Sequence, residues 1–223
     1  VNFDLQPLWL TAKIAMGSTV ILLVICLPLA LWIGKGRTAL RTLVRTSCNL
    51  PLVLPPTVLG FALLLLFSPA FGPGRFLSER IRFEVLFTAK ALLIGSVVGG
   101  LPFMLGPLVS GVEGLSPSLS EASRVLGKGR LETCIRVLLP ALRPSILAGV
   151  ATTFAHACGE FGVVLMVGGK IPGTTRTASI ALYDAVEAMD FGLAAKYAAM
   201  LAVLSMAVLL LVERRLAGKT GAP

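Results

Sequence analysis

One carboxylate lies well inside an apolar run: Glu160, in the segment FAHACGEFG. His156 stands four positions earlier, so the two side chains share a face if the segment is helical. The pair admits a proton relay or, with Cys158 between them, a His–Cys–Glu metal site. Three ligands within five residues of one helix do not converge on a single ion, so no metal is expected. The plainer reading is a hydrogen-bonded polar pair used in helix packing. Glu160 should not hold an anion directly, because two negative charges repel strongly away from water. A gate or a paired structural charge suits it better, since carboxylates inside membranes face a bundle interior or a wet cavity. A nucleotide cradle is the other chemistry to test. The Gly218-Lys219-Thr220 triplet lacks the glycine that a phosphate-binding loop needs five residues upstream, where Glu213 stands. No enzymatic chemistry, and no cofactor, is expected of this chain.

These residues sit in a chain built for a bilayer. Of its 223 residues 56% are hydrophobic and 14% charged, and the mean hydropathy is +0.89. A soluble domain does not carry so much apolar surface. The net charge of +9 would suggest nucleic acid in a soluble protein, but basic loops explain it here and no aromatic-interleaved basic motif accompanies it, so nucleic acid is not an expected partner. Cys26, Cys48, Cys134 and Cys158 are scattered and form no ligand pair. Apolar runs near or above roughly 20 residues are long enough to cross a membrane. They predict an all-α polytopic bundle, a single domain over 1–223, with about five spans near 10–33, 50–67, 85–109, 142–167 and 193–212. The first run lacks a basic leader and reads as an anchor rather than a cleaved signal.

The second span opens with PLVLPP, where Pro51, Pro55 and Pro56 remove backbone donors and forbid a regular helix. Either the helix start is merely bent or irregular backbone lines a cavity. Gly72-Pro73-Gly74 predicts a turn in the following loop, which ends in the mixed-charge piece SERIRFE. Gly95 and Gly99 in the third span have spacing that permits close helix packing. The loops after the first and third spans, with the tail, concentrate the arginines and lysines. The positive-inside rule therefore places the N-terminus outside, and the C-terminus and the loop at 113–140 in the cytoplasm.

That loop holds the longest polar stretch, EASRVLGKGRLETCIRVLLP. Ser118 and Glu121 have the spacing of a capping box, predicting a helix start there. Gly127 and Gly129 should end it near Leu126. A second amphipathic turn through Leu131, Ile135 and Leu138/Leu139 should be ended or kinked by Pro140. The product is a basic helix-turn-helix wedge, which is either a solvated loop or a docking element.

The wedge resembles the signature loop of permease subunits of ATP-binding-cassette importers. The matching residues are Glu121, Ala122, Gly127, Leu139 and Pro140, with Ser123 in place of a third small residue and Val137 in place of an isoleucine. Gly159-Glu160-Phe161-Gly162, then Ile171-Pro172-Gly173 and Thr175-Arg176-Thr177, resemble the molybdate-type permeases, as does PLVLPP. Sulfate-type permeases share the Gly-Glu-Phe-Gly but usually not the continuation. His156 departs from the arginine common at its position, which would leave local charge dependent on pH.

The resemblance implies a cytoplasmic (inner) membrane permease that forms a homodimer, binds two cytoplasmic ATPase subunits through the wedge and takes molybdate or tungstate from an external binding protein. It implies coupling contacts for Glu121, Ala122, Ser123, Gly127, Val137, Leu139 and Pro140. Pro51, Pro55, Pro56, His156, Gly159, Glu160, Phe161 and Gly162 become pathway or gate candidates. The alternatives are a sulfate or thiosulfate permease and, from another class, a proton-coupled transporter using His156 and Glu160. A purely structural membrane scaffold leaves the wedge unexplained.

Overall fold

The computed structural model describes residues 4–36, 38–70, 73–76 and 85–220, with side chains up to residue 215. The Gly72 turn lies partly, and the SERIRFE piece wholly, outside the described residues, as does Arg37. Among the described residues all regular structure is helical. We number the helices α1 (Gln6–Ile33), α2 (Ala39–Val53), α3 (Pro56–Phe67), α4 (Ala89–Glu113) and α5 (Pro117–Val125). There follow α6 (Arg130–Ala141), α7 (Arg143–Gly159), α8 (Gly162–Gly168), α9 (Ala178–Glu187) and α10 (Phe191–Thr220).

Helix α4 is the centre of the bundle, packed against α1, α2, α7 and α8. Leu22, Cys26, Ala30 and Ile33 of α1 interdigitate with Met104, Leu105, Leu108 and Val109 of α4 to form the main core. Polar residues of α1 are satisfied within the helix. Thr11 donates to the Pro7 carbonyl at 2.8 Å and Thr19 to that of Ala15 at 2.7 Å, so these two hydroxyls of α1 are satisfied in the apolar interior. Gly95 faces α8 and Gly99 faces the end of α7: a Cβ on Gly95 would meet Val163 at 3.0 Å, and one on Gly99 would meet His156 and Glu160 at 3.6 Å. Helix α10 is nearly bare. Met200, Val203, Met206, Leu210 and Leu211 are all exposed, an apolar surface suited to lipid or to another helix in the membrane.

Three helices, Gln6–Ile33, Ala89–Glu113 and Phe191–Arg215, are long and apolar enough to cross a membrane, and the number reaches five if each of two bent pairs counts as one span. The first pair is α2 and α3, which meet at 114° where Leu54 and Pro55 turn extended. Pro51 is accommodated inside α2, so the break belongs to Leu54–Pro55 rather than to the whole PLVLPP run. The helix begins far upstream of position 50, with the Thr38 side chain accepting from the Arg41 amide. The second pair is α6 and α7, bent by 67°.

The segment 142–167, read from sequence as one span, is interrupted. Helix α7 stops at Gly159, Glu160 is extended, and α8 begins at Gly162. The stretch between the expected spans 142–167 and 193–212 contains α9, whose Ala178, Ala181 and Ala185 pack against Leu193, Ala194 and Tyr197 of α10. Small residues make this helix short and easily overlooked, but they allow its close approach.

Candidate functional site

The wedge is a helix, a left-handed glycine and a second helix. Its first helix is α5, and Ser116 rather than Ser118 occupies the N-cap. The two hydroxyls bond each other at 2.7 Å, and neither caps a backbone amide, so the capping-box reading is corrected. Pro117 at the first turn starts the helix instead, because its fixed φ suits that position. Helix α5 ends at Val125, and Gly127 takes φ +73°, with nothing within 4 Å of where its Cβ would lie. Gly129 is extended at φ −68° and serves as the N-cap of α6.

The two arms are joined by a buried contact: Ser123 Oγ and Thr133 Oγ1 lie 2.8 Å apart. The Lys128 amide donates to the Ser123 carbonyl at 3.1 Å. Glu132 pairs with Lys128 at 2.5 Å and Arg136 at 3.0 Å, and the Lys128 hydrogen bond holds its carboxyl below the ordinary range. Downstream, Cys134–Leu138 is a π-turn in which the Leu139 amide reaches back to the Cys134 carbonyl. Pro140, which has no amide to donate, follows that widened turn. The bend from α6 to α7 falls at Leu142, two residues beyond Pro140.

Glu121 and Ala122 are exposed, as is Pro140, while Val137, Leu138 and Leu139 are half-buried. The most exposed apolar side chains of the wedge are others: Val125 at 87%, Leu126 at 75%, Leu131 at 74% and Ile135 at 55%. Val125 and Leu126 adjoin the Gly127 turn and Leu131 and Ile135 lie on α6, so both arms of the wedge carry exposed apolar groups. Only Leu131 and Ile135 were marked by periodicity. Val125 and Leu126 lie where the chain turns, and a turn has no helical period to read.

The second site is the pair of helix breaks. Glu160 Oε1 accepts from the Val163 amide at 3.1 Å, so the carboxylate caps α8, where a helix N-terminus favours negative charge. Its Oε2 lies 3.2 Å from His156 Nε2, an ion-pair distance without hydrogen-bond alignment. The Glu160 carbonyl accepts from Ser179 Oγ of α9 at 2.7 Å. His156 stacks on Phe103 of α4, with ring centroids 4.0 Å apart. Cys158 packs elsewhere, with Ala15, Phe154 and the apolar side of α10. Among the described residues no group of three ligands is placed to hold a metal.

Phe161, at the break, contacts Tyr183 at 4.9 Å between centroids. Gly162 abuts the other break: a Cβ there would lie 2.7 Å from Pro56 Cβ and 3.3 Å from the Thr57 amide nitrogen. The α2–α3 break and the α7–α8 break therefore touch. Pro55 and Pro56 are exposed and Pro51 is half-buried. Gly159 is exposed and open.

The Thr175-Arg176-Thr177 motif ties the following segment down. Thr175 Oγ1 donates to the Gly168 carbonyl at 2.6 Å and accepts from the Ile171 amide at 3.2 Å. Arg176 pairs with Asp184 at 2.9 Å, and Lys170 bridges Asp184 at 3.0 Å and Glu187 at 2.7 Å.

Comparison with known proteins gives this geometry a family. The family described as "Binding-protein-dependent transport system inner membrane component" matches residues 26–216. The chain is 40% identical, over 84% of its length and 83% of the relative's, to the molybdenum transport system permease protein ModB of Azotobacter vinelandii. It is 31% identical, over 76% of its length and 61% of the relative's, to the sulfate transport system permease protein CysT of Salmonella typhimurium. Among solved structures, a bacterial alginate ABC transporter in complex with an alginate pentasaccharide-bound periplasmic protein superposes with a TM-score of 0.74 at 17% identity, covering 95% of this chain and 77% of that one. With the wedge, the broken helices and most of the chain matched together, this protein belongs to the family of binding-protein-dependent transport system inner membrane components.

Proposed function

We propose that the chain is the membrane permease subunit of an ATP-binding-cassette importer and forms the pathway for molybdate or tungstate. It works as a pair of copies, with two ATPase subunits on the cytoplasmic wedge side and a soluble binding protein delivering the anion from outside. Its N-terminus lies outside and its C-terminus inside, in keeping with the distribution of basic residues. ATP is hydrolysed on the ATPase subunits.

The observation that carries the reading is the exposed apolar surface of the wedge. Val125, Leu126, Leu131 and Ile135 are exposed on the two arms joined through a left-handed glycine, in a helix pair braced by Ser123 and Thr133. Exposed apolar groups clustered with charges mark a protein-binding surface. Glu121, Ala122, Gly127 and Pro140 shape the surface offered to the ATPase, and Ser123, Val137 and Leu139 support it from behind. When ATP closes the ATPase dimer, the wedges move with it. The bend at Leu142 passes the movement to α7, whose far end carries the Glu160 break against Pro56. Transport is then a shift between two packed states driven through one interface. His156 and Glu160 act there as a paired structural charge. Identity to the molybdenum permease exceeds that to the sulfate permease, which favours molybdate over a sulfate or thiosulfate cargo.

Purification in mild detergent with the co-purifying chains identified by mass tests the assembly, and competition between molybdate and sulfate for uptake tests the cargo. A stoichiometric ATPase and uptake blocked by excess molybdate are expected. An isolated chain, or uptake blocked by sulfate alone, would overturn the corresponding half of the reading.

A further inference from the structure

A cavity of about 710 Å3 opens where the ends of α1 and α4 meet the base of the wedge. Its polar wall is formed by Lys35, Arg124, Arg130, Ser116, Ser120 and Thr133. No carboxylate lines it. Nearby, Arg45 pairs with Glu113, and Lys128 and Arg136 pair with Glu132. Among the described residues no carboxylate lies within ion-pair distance of Lys35, Arg124 or Arg130. Three cations left unpaired around one concavity repel one another, and an anion placed between them removes that repulsion.

The hydroxyls have little left to donate. Ser120 gives its proton to the Pro117 carbonyl at 3.0 Å, and Thr133 is bonded to Gly129 and Ser123. Donors must come from the ammonium and the two guanidinium groups, whose forks match the oxygens of a tetrahedral anion. Helix α5 starts at the cavity wall with Ser116 and Pro117, and its first turn contains no acidic residue. Its positive end is left for the same anion. The volume suits a hydrated oxyanion or a headgroup rather than a bare ion held in a tight cage.

We infer that this cavity is an anion site that takes a tetrahedral oxyanion group, supplied either by a free inorganic anion or by the phosphate of an anionic lipid. The inference holds for any cargo of the permease, because it rests on the cavity alone. An anion bound there bridges α1 to the wedge through Lys35 and Arg130, and so ties the ATPase-facing element to the bundle.

The test compares the parent chain with its Lys35→Gln/Arg130→Gln variant, both in detergent. Each is titrated with inorganic phosphate by calorimetry, and each is melted in nanodiscs of phosphatidylcholine with and without phosphatidylglycerol. Phosphate binding that weakens at least about tenfold in the variant, the size expected for losing a charge-assisted hydrogen bond, identifies a free anion. A phosphatidylglycerol-dependent rise in melting temperature that the variant loses identifies the lipid headgroup. Identical titrations and identical lipid responses in the two proteins would overturn the proposal. So would a variant that loses only its co-purifying ATPase, because the cations would then serve that interface instead. An Arg130→Lys variant that retains binding separates loss of charge from misfolding.

Discussion

Ser123 and Thr133, ten residues apart on the two arms of the wedge, touch through their hydroxyls at 2.8 Å in a buried contact. Ser123 stands where the related signature has a plain small residue, and here it is paired with a hydroxyl on the opposite arm. Thr133 holds a second bond to the Gly129 carbonyl at 3.0 Å. Replacing Ser123 with alanine therefore removes one bond and leaves Thr133 partnered. The expected cost is about 1 kcal/mol of wedge stability, read as faster hydrogen exchange over 117–141 with the bundle helices unchanged.

The contact between Gly162 and Pro56 predicts a sharp difference between neighbouring glycines. Gly162→Ala puts a methyl 2.7 Å from Pro56 Cβ and close to backbone, so the breaks must separate at about 1–3 kcal/mol. Gly159→Ala meets nothing within 4 Å and adds a better helix former at the end of α7. Thermal melts of the two variants should move apart, with Gly162→Ala lower and Gly159→Ala at or above the parent.

Glu160 carries two separable duties, one as a cap and one as a charge. Glu160→Gln keeps an oxygen for the Val163 amide and loses the carboxylate charge beside His156, whereas Glu160→Ala loses both. Losing a helix cap costs about 0.5–2 kcal/mol. Glu160→Ala should therefore melt below Glu160→Gln. Equal melting temperatures would show that the Val163 bond contributes nothing.

The cluster of Lys170 with Asp184 and Glu187 sets a pH window. The Glu187 carboxyl is held below its ordinary 4.5 by its bond to Lys170, and that support is present above 4.5 and lost as pH falls through the lowered value. Lys170 is held above its ordinary 10.5 by Glu187 and Asp184, so its support is present below 10.5 and lost only at higher pH. Amide protection over 170–187, corrected for intrinsic exchange, should be flat between these limits. A drop near neutrality would contradict the pairing.

What was legible in the sequence follows from period and composition. Long apolar runs announced α1, α4 and α10, and Gly127 announced the wedge turn because only a left-handed residue suits it. The one-turn spacing of His156 and Glu160 was readable, but the Val163 and Ser179 bonds were not. They depend on the helix break at Glu160 and Phe161, which no local pattern marks. Proline density located the α2–α3 break only to within PLVLPP, since Pro51 is accommodated near the end of α2 and only Pro55 and Pro56 stand at the junction. Helix α9 was missed because its buried face is mostly alanine and serine, which carry little hydrophobic signal.

ATP-dependent uptake of labelled molybdate into proteoliposomes tests the central claim most directly. The chain is reconstituted with its co-purified ATPase and binding protein, in the parent form and as Gly127→Asp. Gly127 is left-handed with open space around it, and aspartate tolerates that backbone better than most residues, so the variant should insert and fold. The account predicts ATP-driven uptake by the parent, and ATP hydrolysis without uptake by Gly127→Asp. Normal uptake by Gly127→Asp, or uptake by the chain alone on a proton gradient, would contradict it.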